Sequence, residues 1–135
     1  MMAKVPLAKS MTDLFILEGF QNVSFPVMPE EQINGNGVYI GVQEYDSGLS
    51  TIQNQYEETF WQVIVRGNKL TAYKDVFETM SNIKQYLIKL PPVVTINNNE
   101  YSGRTIVSGP TYFKDQNDRD VMTINLRTFQ NPLED

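Results

Sequence analysis

The stretch Glu57-Glu58-Thr59-Phe60-Trp61-Gln62-Val63-Ile64-Val65-Arg66-Gly67-Asn68 decides the fold, together with the helical run that follows it to Leu90. Side chains alternate across a strand, so Trp61, Val63 and Val65 share one face, and Phe60, Gln62, Ile64 and Arg66 share the other. The first face is apolar and the second mixed, as in a half-buried strand rich in β-branched and aromatic residues. Gly67-Asn68 breaks the extended run, and Asn68 is positioned to cap a helix. Leu70, Tyr73, Phe77, Met80, Leu87 and Leu90 then recur at three-to-four spacing, with Ile83 on or near the stripe, and Pro91-Pro92 ends the element. This spacing predicts a long central helix buried along that stripe, and a cost of about 3–5 kcal/mol for Phe77→Ala.

Working outward, Leu7, Met11, Leu14, Phe15 and Leu17 predict a short amphipathic helix over 7–18, stopped by Gly19. Phe25-Pro26 and Met28-Pro29 mark an extended or turning segment, and Asn34-Gly35-Asn36-Gly37 a turn. Val38 to Tyr45 alternates as a strand. A polar loop from Asp46 to Asn54 connects it to the Trp61 strand. Beyond the central helix, Val93 to Ile96, Tyr101 to Val107 and Asp120 to Phe129 read as strands. Asn97-Asn98-Asn99 makes a hairpin turn, Gly109-Pro110 a kink, and Asp115 to Asp118 a second polar turn. The order of elements predicts a single α+β domain over residues 1–135. Its mixed, mainly antiparallel sheet would be covered on one face by the long central helix and a shorter N-terminal helix.

Composition restricts the chemistry. The 135 residues include no histidine and no cysteine. That removes the commonest general base, the commonest transition-metal ligand, disulfides and every Ser-His-Asp or Cys-His arrangement within one chain. The net charge of −5 argues against a protein that coats DNA, which needs a basic face to displace counterions. The apolar run Leu14 to Leu17 is bounded by Asp13 and Glu18, unlike a signal peptide, and no stretch reaches the roughly 20 apolar residues of a membrane span.

Two acidic groupings invite a chemical reading. Asp115, Asp118 and Asp120 do not fit a calcium loop, because Arg119 occupies a ligand position and the required Gly and Glu are missing. Glu57 and Glu58 are adjacent on a strand and point to opposite faces, so they suit a solvated strand end better than paired acid–base catalysis. The residues therefore predict no catalytic, cofactor-binding or metal site, and a protein that is not an enzyme.

The order of segments carries a resemblance. A short helix and Phe25-Pro26 precede Val38-Tyr39-Ile40-Gly41-Val42. The strand Trp61-Gln62-Val63-Ile64-Val65-Arg66-Gly67 follows. Then comes a long helix with Ile83-Lys84-Gln85-Tyr86-Leu87 near its end. An Asp-rich turn leads into Arg119-Asp120-Val121-Met122-Thr123-Ile124-Asn125-Leu126-Arg127. Over roughly residues 8 to 129 the chain resembles the tail terminator proteins of long-tailed bacteriophages, also termed tail completion or minor capsid proteins. The resemblance rests on pattern and element order, with no short motif to map.

It implies a structural virion protein, assembled in the host cytoplasm and residing at the head–tail junction. Copies would form a homohexameric ring that caps the tail tube, ends its growth and offers the head-joining surface. The partners implied are other copies, the tail tube protein and a head-completion or connector protein. Genomic DNA would pass through the lumen without sequence-specific binding. No cofactor and no membrane is implied. Assembly contacts are expected in two loops, at Asp46, Ser47, Leu49 and Ile52, and at Asp115, Asn117 and Arg119. The alternatives are another connector component, either a head-completion or a tail tube protein, and a small enzyme or ligand-binding domain built on a buried carboxylate or tyrosine.

Overall fold

The computed structural model describes residues 5–26, 37–45, 52–53 and 56–132. The elements run α1 (Leu7–Glu18), β1 (Val23–Ser24), β2 (Val38–Tyr45), β3 (Ile52–Gln53), β4 (Tyr56–Gly67), α2 (Tyr73–Lys89), β5 (Val93–Ile96), β6 (Asn99–Lys114) and β7 (Asp120–Pro132). Six strands lie in the order β1-β2-β4-β7-β6-β5, and β3 pairs with β4 off this path. β4 is central: it pairs with β2, placing Ile40 opposite Val65, and with β7, placing Val63 opposite Ile124. β1 runs parallel to β2 at one edge.

The architecture differs from the expected one. The organising element is a curled mixed sheet that accounts for half of the described residues, against about a quarter in helix, and no long central helix covers it. The two helices have 12 and 17 residues, while β6 and β7 alone have 16 and 13. Two signals were too weak to read from the chain. β1 and β3 are two residues each, and β1 supplies the parallel pairing. β6 continues through Gly109-Pro110 to Lys114, because register shifts on either side of Ser108 absorb the kink.

The apolar face of β4 is legible in its alternation: Trp61, Val63 and Val65 are wholly buried and face the helices. Leu7, Ala8, Met11 and Phe15 of α1 close on that face, whereas Leu17 stays exposed. Phe15, Phe20 and Tyr86 form a mutual edge-to-face triangle with ring centroids 5.7–5.9 Å apart, joining α1 to α2. The Tyr101 hydroxyl, fully buried, shares a 2.8 Å hydrogen bond with Ser10 and fixes the start of α1 to β6.

α2 departs from the predicted helix in start and in orientation. It begins at Tyr73 with Ala72 at the N-cap position and no side-chain cap. Asn68 is buried in a turn instead, where its N–H donates to the Thr71 hydroxyl at 2.9 Å. The same hydroxyl donates to the Gly37 carbonyl at 2.7 Å and accepts from the Gly37 N–H at 2.9 Å. These bonds tie the 68–71 turn to the entrance of β2 and delay the helix by a full turn. The buried stripe is Val76, Met80, Ile83 and Leu87. Tyr73 and Phe77, assigned to the core from their spacing, lie on the exposed side, and Leu70, assigned likewise, is exposed in the turn before the helix. Two apolar stripes run side by side on this helix, and periodicity alone does not say which one meets the sheet.

Candidate functional site

Of the residues expected to make assembly contacts, the described ones fall at two separate places. Asp46, Ser47 and Leu49 lie outside the described residues. Ile52 falls in β3, opposite Glu57 at the start of β4. Asp115, Asn117 and Arg119 form the β6–β7 turn, next to the far end of β4, where Arg66 lies opposite Val121. Nine residues of strand separate those ends, about 30 Å at the usual strand rise.

The β6–β7 turn is held from within. The Asp115 carboxylate accepts from the Asn117 N–H at 2.9 Å and the Arg119 N–H at 3.0 Å, and from the Arg119 Nε at 2.8 Å. Arg119 is itself buried. Burial works to raise the Asp115 pKa, but the hydrogen bonds from Arg119 and Asn117 and the guanidinium charge outweigh it and hold the carboxyl below its ordinary value. A carboxyl depressed in the folded state stabilises the fold above its unfolded pKa, and that stability is lost as pH falls through the folded value. Stability should therefore decline below about pH 4 through this turn. The Asp115→Asn variant should lose stability at pH 7 and show a flatter acid limb, measured by urea unfolding across pH.

Sequence reasoning missed an exposed apolar surface on α2 and β6. Tyr73 and Phe77 of α2 are 47% and 49% exposed. Tyr73 meets Phe77 with centroids 6.2 Å apart and Tyr112 of β6 edge-on at 5.0 Å. The Tyr112 hydroxyl donates to the Asp120 carboxylate, whose other neighbour is the Lys114 ammonium at 3.3 Å. That hydrogen bond, chiefly, raises the Tyr112 pKa above its ordinary value. Further along, Ile88 and Ile106 flank a groove of about 230 Å³ between α2 and β6, floored by Ile124 and Leu126 and edged by Lys84. Arg104 closes its end. Its Nε donates to the Leu87 carbonyl at 2.9 Å, and one Nη donates to those of Leu90 and Pro91 at 2.9 and 2.8 Å. A cation on the last carbonyls of α2 also complements the helix dipole.

Phe77 lies on this surface and not in the core, which overturns the large cost expected from its spacing. Phe77→Ala should change unfolding free energy by less than about 1 kcal/mol, the scale of a surface aromatic pair. Denaturant titration of the two proteins checks this, and a loss near that of a core phenylalanine would contradict the exposed placement. The signal that could have found the patch was the Tyr73/Phe77 pair at i,i+4, which competes with the Val76/Met80 pair for the same helix.

β6 is also a partly open edge. β5 covers it only from Asn99 to Ser102. Among the described residues, nothing pairs with the outer side of β6 beyond Gly103. Ile106, Val107, Tyr112 and Phe113 stand exposed along that length. Alternation sends Tyr112 toward α2 and Phe113 to the opposite face, so the edge is apolar on both sides.

A second groove, about 310 Å³, opens between the end of α1 and α2, with Glu18, Phe20, Asn82, Tyr86 and Lys89 among its walls. Burial, chiefly, and the nearby Glu18 charge raise the pKa of Tyr86 there, and its hydroxyl donates to the Leu14 carbonyl at 3.3 Å. Among the described residues no three acidic side chains converge as metal ligands, and no helix is long and apolar enough to cross a membrane. Compared with models of known protein families and with curated proteins, the chain matches none.

Proposed function

We propose that this chain is a structural virion subunit of a long-tailed bacteriophage. Copies join into a ring, of six by the resemblance, that caps the tail tube, ends its elongation and presents the surface to which the filled head attaches. It acts by fitting beside other proteins and carries out no reaction. DNA passes through the lumen without sequence-specific contact, which an acidic chain of net charge −5 suits.

The observation that carries this reading is the exposed apolar surface along α2 and β6, beside a strand edge that no other described residue pairs with. Monomeric proteins rarely leave contiguous apolar patches of more than a few hundred Å² in water, and they usually blunt long open edges. A chain that exposes both is suited to a neighbour. The absence of histidine and cysteine from the sequence is compatible with a role in assembly. Purified protein mixed with tail tubes should give rings seated on tube ends by electron microscopy. A protein that remains monomeric and never binds tubes contradicts the proposal.

The strand content favours a second reading, in which the chain is another member of the head–tail connector set, such as a tail tube subunit or a head-completion protein. Tube subunits are β-rich and polymerise without limit. Long filaments from the purified chain, in place of closed rings, would select that alternative.

A further inference from the structure

We infer that copies of this chain join edge to edge, the outer side of β6 in one copy adding to the outer side of β2 in the next. The inference deepens the reading above, and rests on it for the idea that copies assemble at all. Among the described residues no strand lies beside the outer side of β6 from Arg104 to Lys114, so the natural occupant of that edge is an extended strand. At the opposite margin of the sheet, β1 covers β2 only at Ile40 and Gly41. Among the described residues, the outer side of Val42 to Tyr45 has no strand beside it. Among the described residues, the two margins of one sheet thus each leave a stretch with no strand beside it, the longer one on β6.

Charge identifies the occupant as another copy. Between Lys9 and Arg66 there is no lysine or arginine, yet half of the 16 acidic residues fall in that segment. β1 and β2 come from it, and Glu44 on β2 is exposed, with one carboxylate oxygen accepting from the Ala8 N–H at 3.2 Å. From Ser102 to Lys114 there is no acidic residue, and Arg104 and Lys114 are basic, Lys114 sharing its charge with Asp118 and Asp120 of the same chain. Lys84 adds a further cation at the α2–β6 groove. Two identical edges would bring like charge to like, whereas the β6 edge of one copy against the β2 edge of the next brings opposite signs together.

The apolar area is adequate. Tyr73, Phe77, Ile88, Ile106 and Tyr112 are each between 42% and 74% exposed, which for side chains of about 150–250 Å² amounts to roughly 500 Å² on the α2 side of the edge. The backbone edge and the opposite face, with Val107 and Phe113, bring the contact toward the roughly 800 Å² per partner of a stable interface. A contact between different edges is heterologous. It repeats around an axis and closes into a ring if the rotation permits.

The chain contains no cysteine, so introduced thiols report the contact without background. Gln43→Cys on β2 and Thr105→Cys or Thr111→Cys on β6 all change exposed side chains, and their thermal midpoints should match the parent. Mixed and oxidised in pairs, the β2 and β6 variants should give the disulfide-linked heterodimer in roughly tenfold excess over either homodimer, as a head-to-tail contact requires. Predominance of a Thr111→Cys homodimer overturns the inference in favour of a two-fold contact. Parent protein that forms rings by sedimentation while neither β6 position links to Gln43→Cys also overturns it, and leaves the ring reading standing. Parent protein that stays monomeric defeats both.

Discussion

Trp61→Ala should lower the free energy of unfolding by about 4–5 kcal/mol, the upper range for large-to-small core substitutions. Trp61 is wholly buried at the centre of β4, with Leu126 opposite on β7 and Glu44 opposite on β2. Its indole N–H donates to the Thr128 hydroxyl at 2.9 Å, also fully buried. Truncation therefore removes the largest apolar side chain of the core, opens a cavity and takes away the Thr128 hydroxyl's donor. Small domains are stable by only about 5–15 kcal/mol, so this loss removes a large share of the total. Trp61→Phe keeps most of the volume and loses the hydrogen bond, and should cost about half as much. Urea unfolding followed by circular dichroism measures both, since Trp61 is the single tryptophan. A loss below about 2 kcal/mol for the alanine variant would place Trp61 outside the core.

Gly109→Ala should cost about 3 kcal/mol, from a φ of +96° that L-residues avoid and from a backbone collision. A Cβ at Gly109 would stand 2.7 Å from the Thr123 carbonyl oxygen and 3.2 Å from the Ile124 Cα. Both belong to β7, so no side chain can turn aside to relieve the contact. Gly103→Ala is the control. Its φ is +78°, but a Cβ there meets nothing within 4 Å, so it should cost only the roughly 1–2 kcal/mol of the left-handed conformation. The Gly109 variant should also speed hydrogen exchange at Thr123 and Ile124, where β6 and β7 would separate. Equal losses for the two variants would show that β6 does not approach β7 so closely at Gly109.

The difference between these glycines bears on what could be read in the chain. Gly109-Pro110 announced an interruption, and a register shift between Ser108 and Thr111 does span it, with another just before. The chain gave no sign that the strand continues beyond them to Lys114, because that depends on β7 pairing across the irregularity. The candidate surface was less legible still. Tyr73 and Phe77 carry the same apolar signal as Val76 and Met80, and only the packing of α2 on the sheet turned one pair inward and left the other beside Tyr112. Asp115 and Arg119 were visible as a polar turn, but the hydrogen bonds that commit them to that turn were not.

By itself the sequence determined the residue ranges of α1 and β2, the inward face of β4, the Asn97-Asn98 turn with φ of 52° and 60°, and a chemistry without histidine or thiol. These follow from local rules: side-chain alternation, helix stops, turn residues that tolerate positive φ, and composition. Tertiary structure decided the dominance of a curled mixed sheet, the late start and rotation of α2, and the apolar edge along β6. Each of these depends on contacts between residues far apart in the chain, such as Thr71 with Gly37 or Tyr73 with Tyr112. Burial is a property of what a side chain packs against, and periodicity specifies only which side chains lie on the same side.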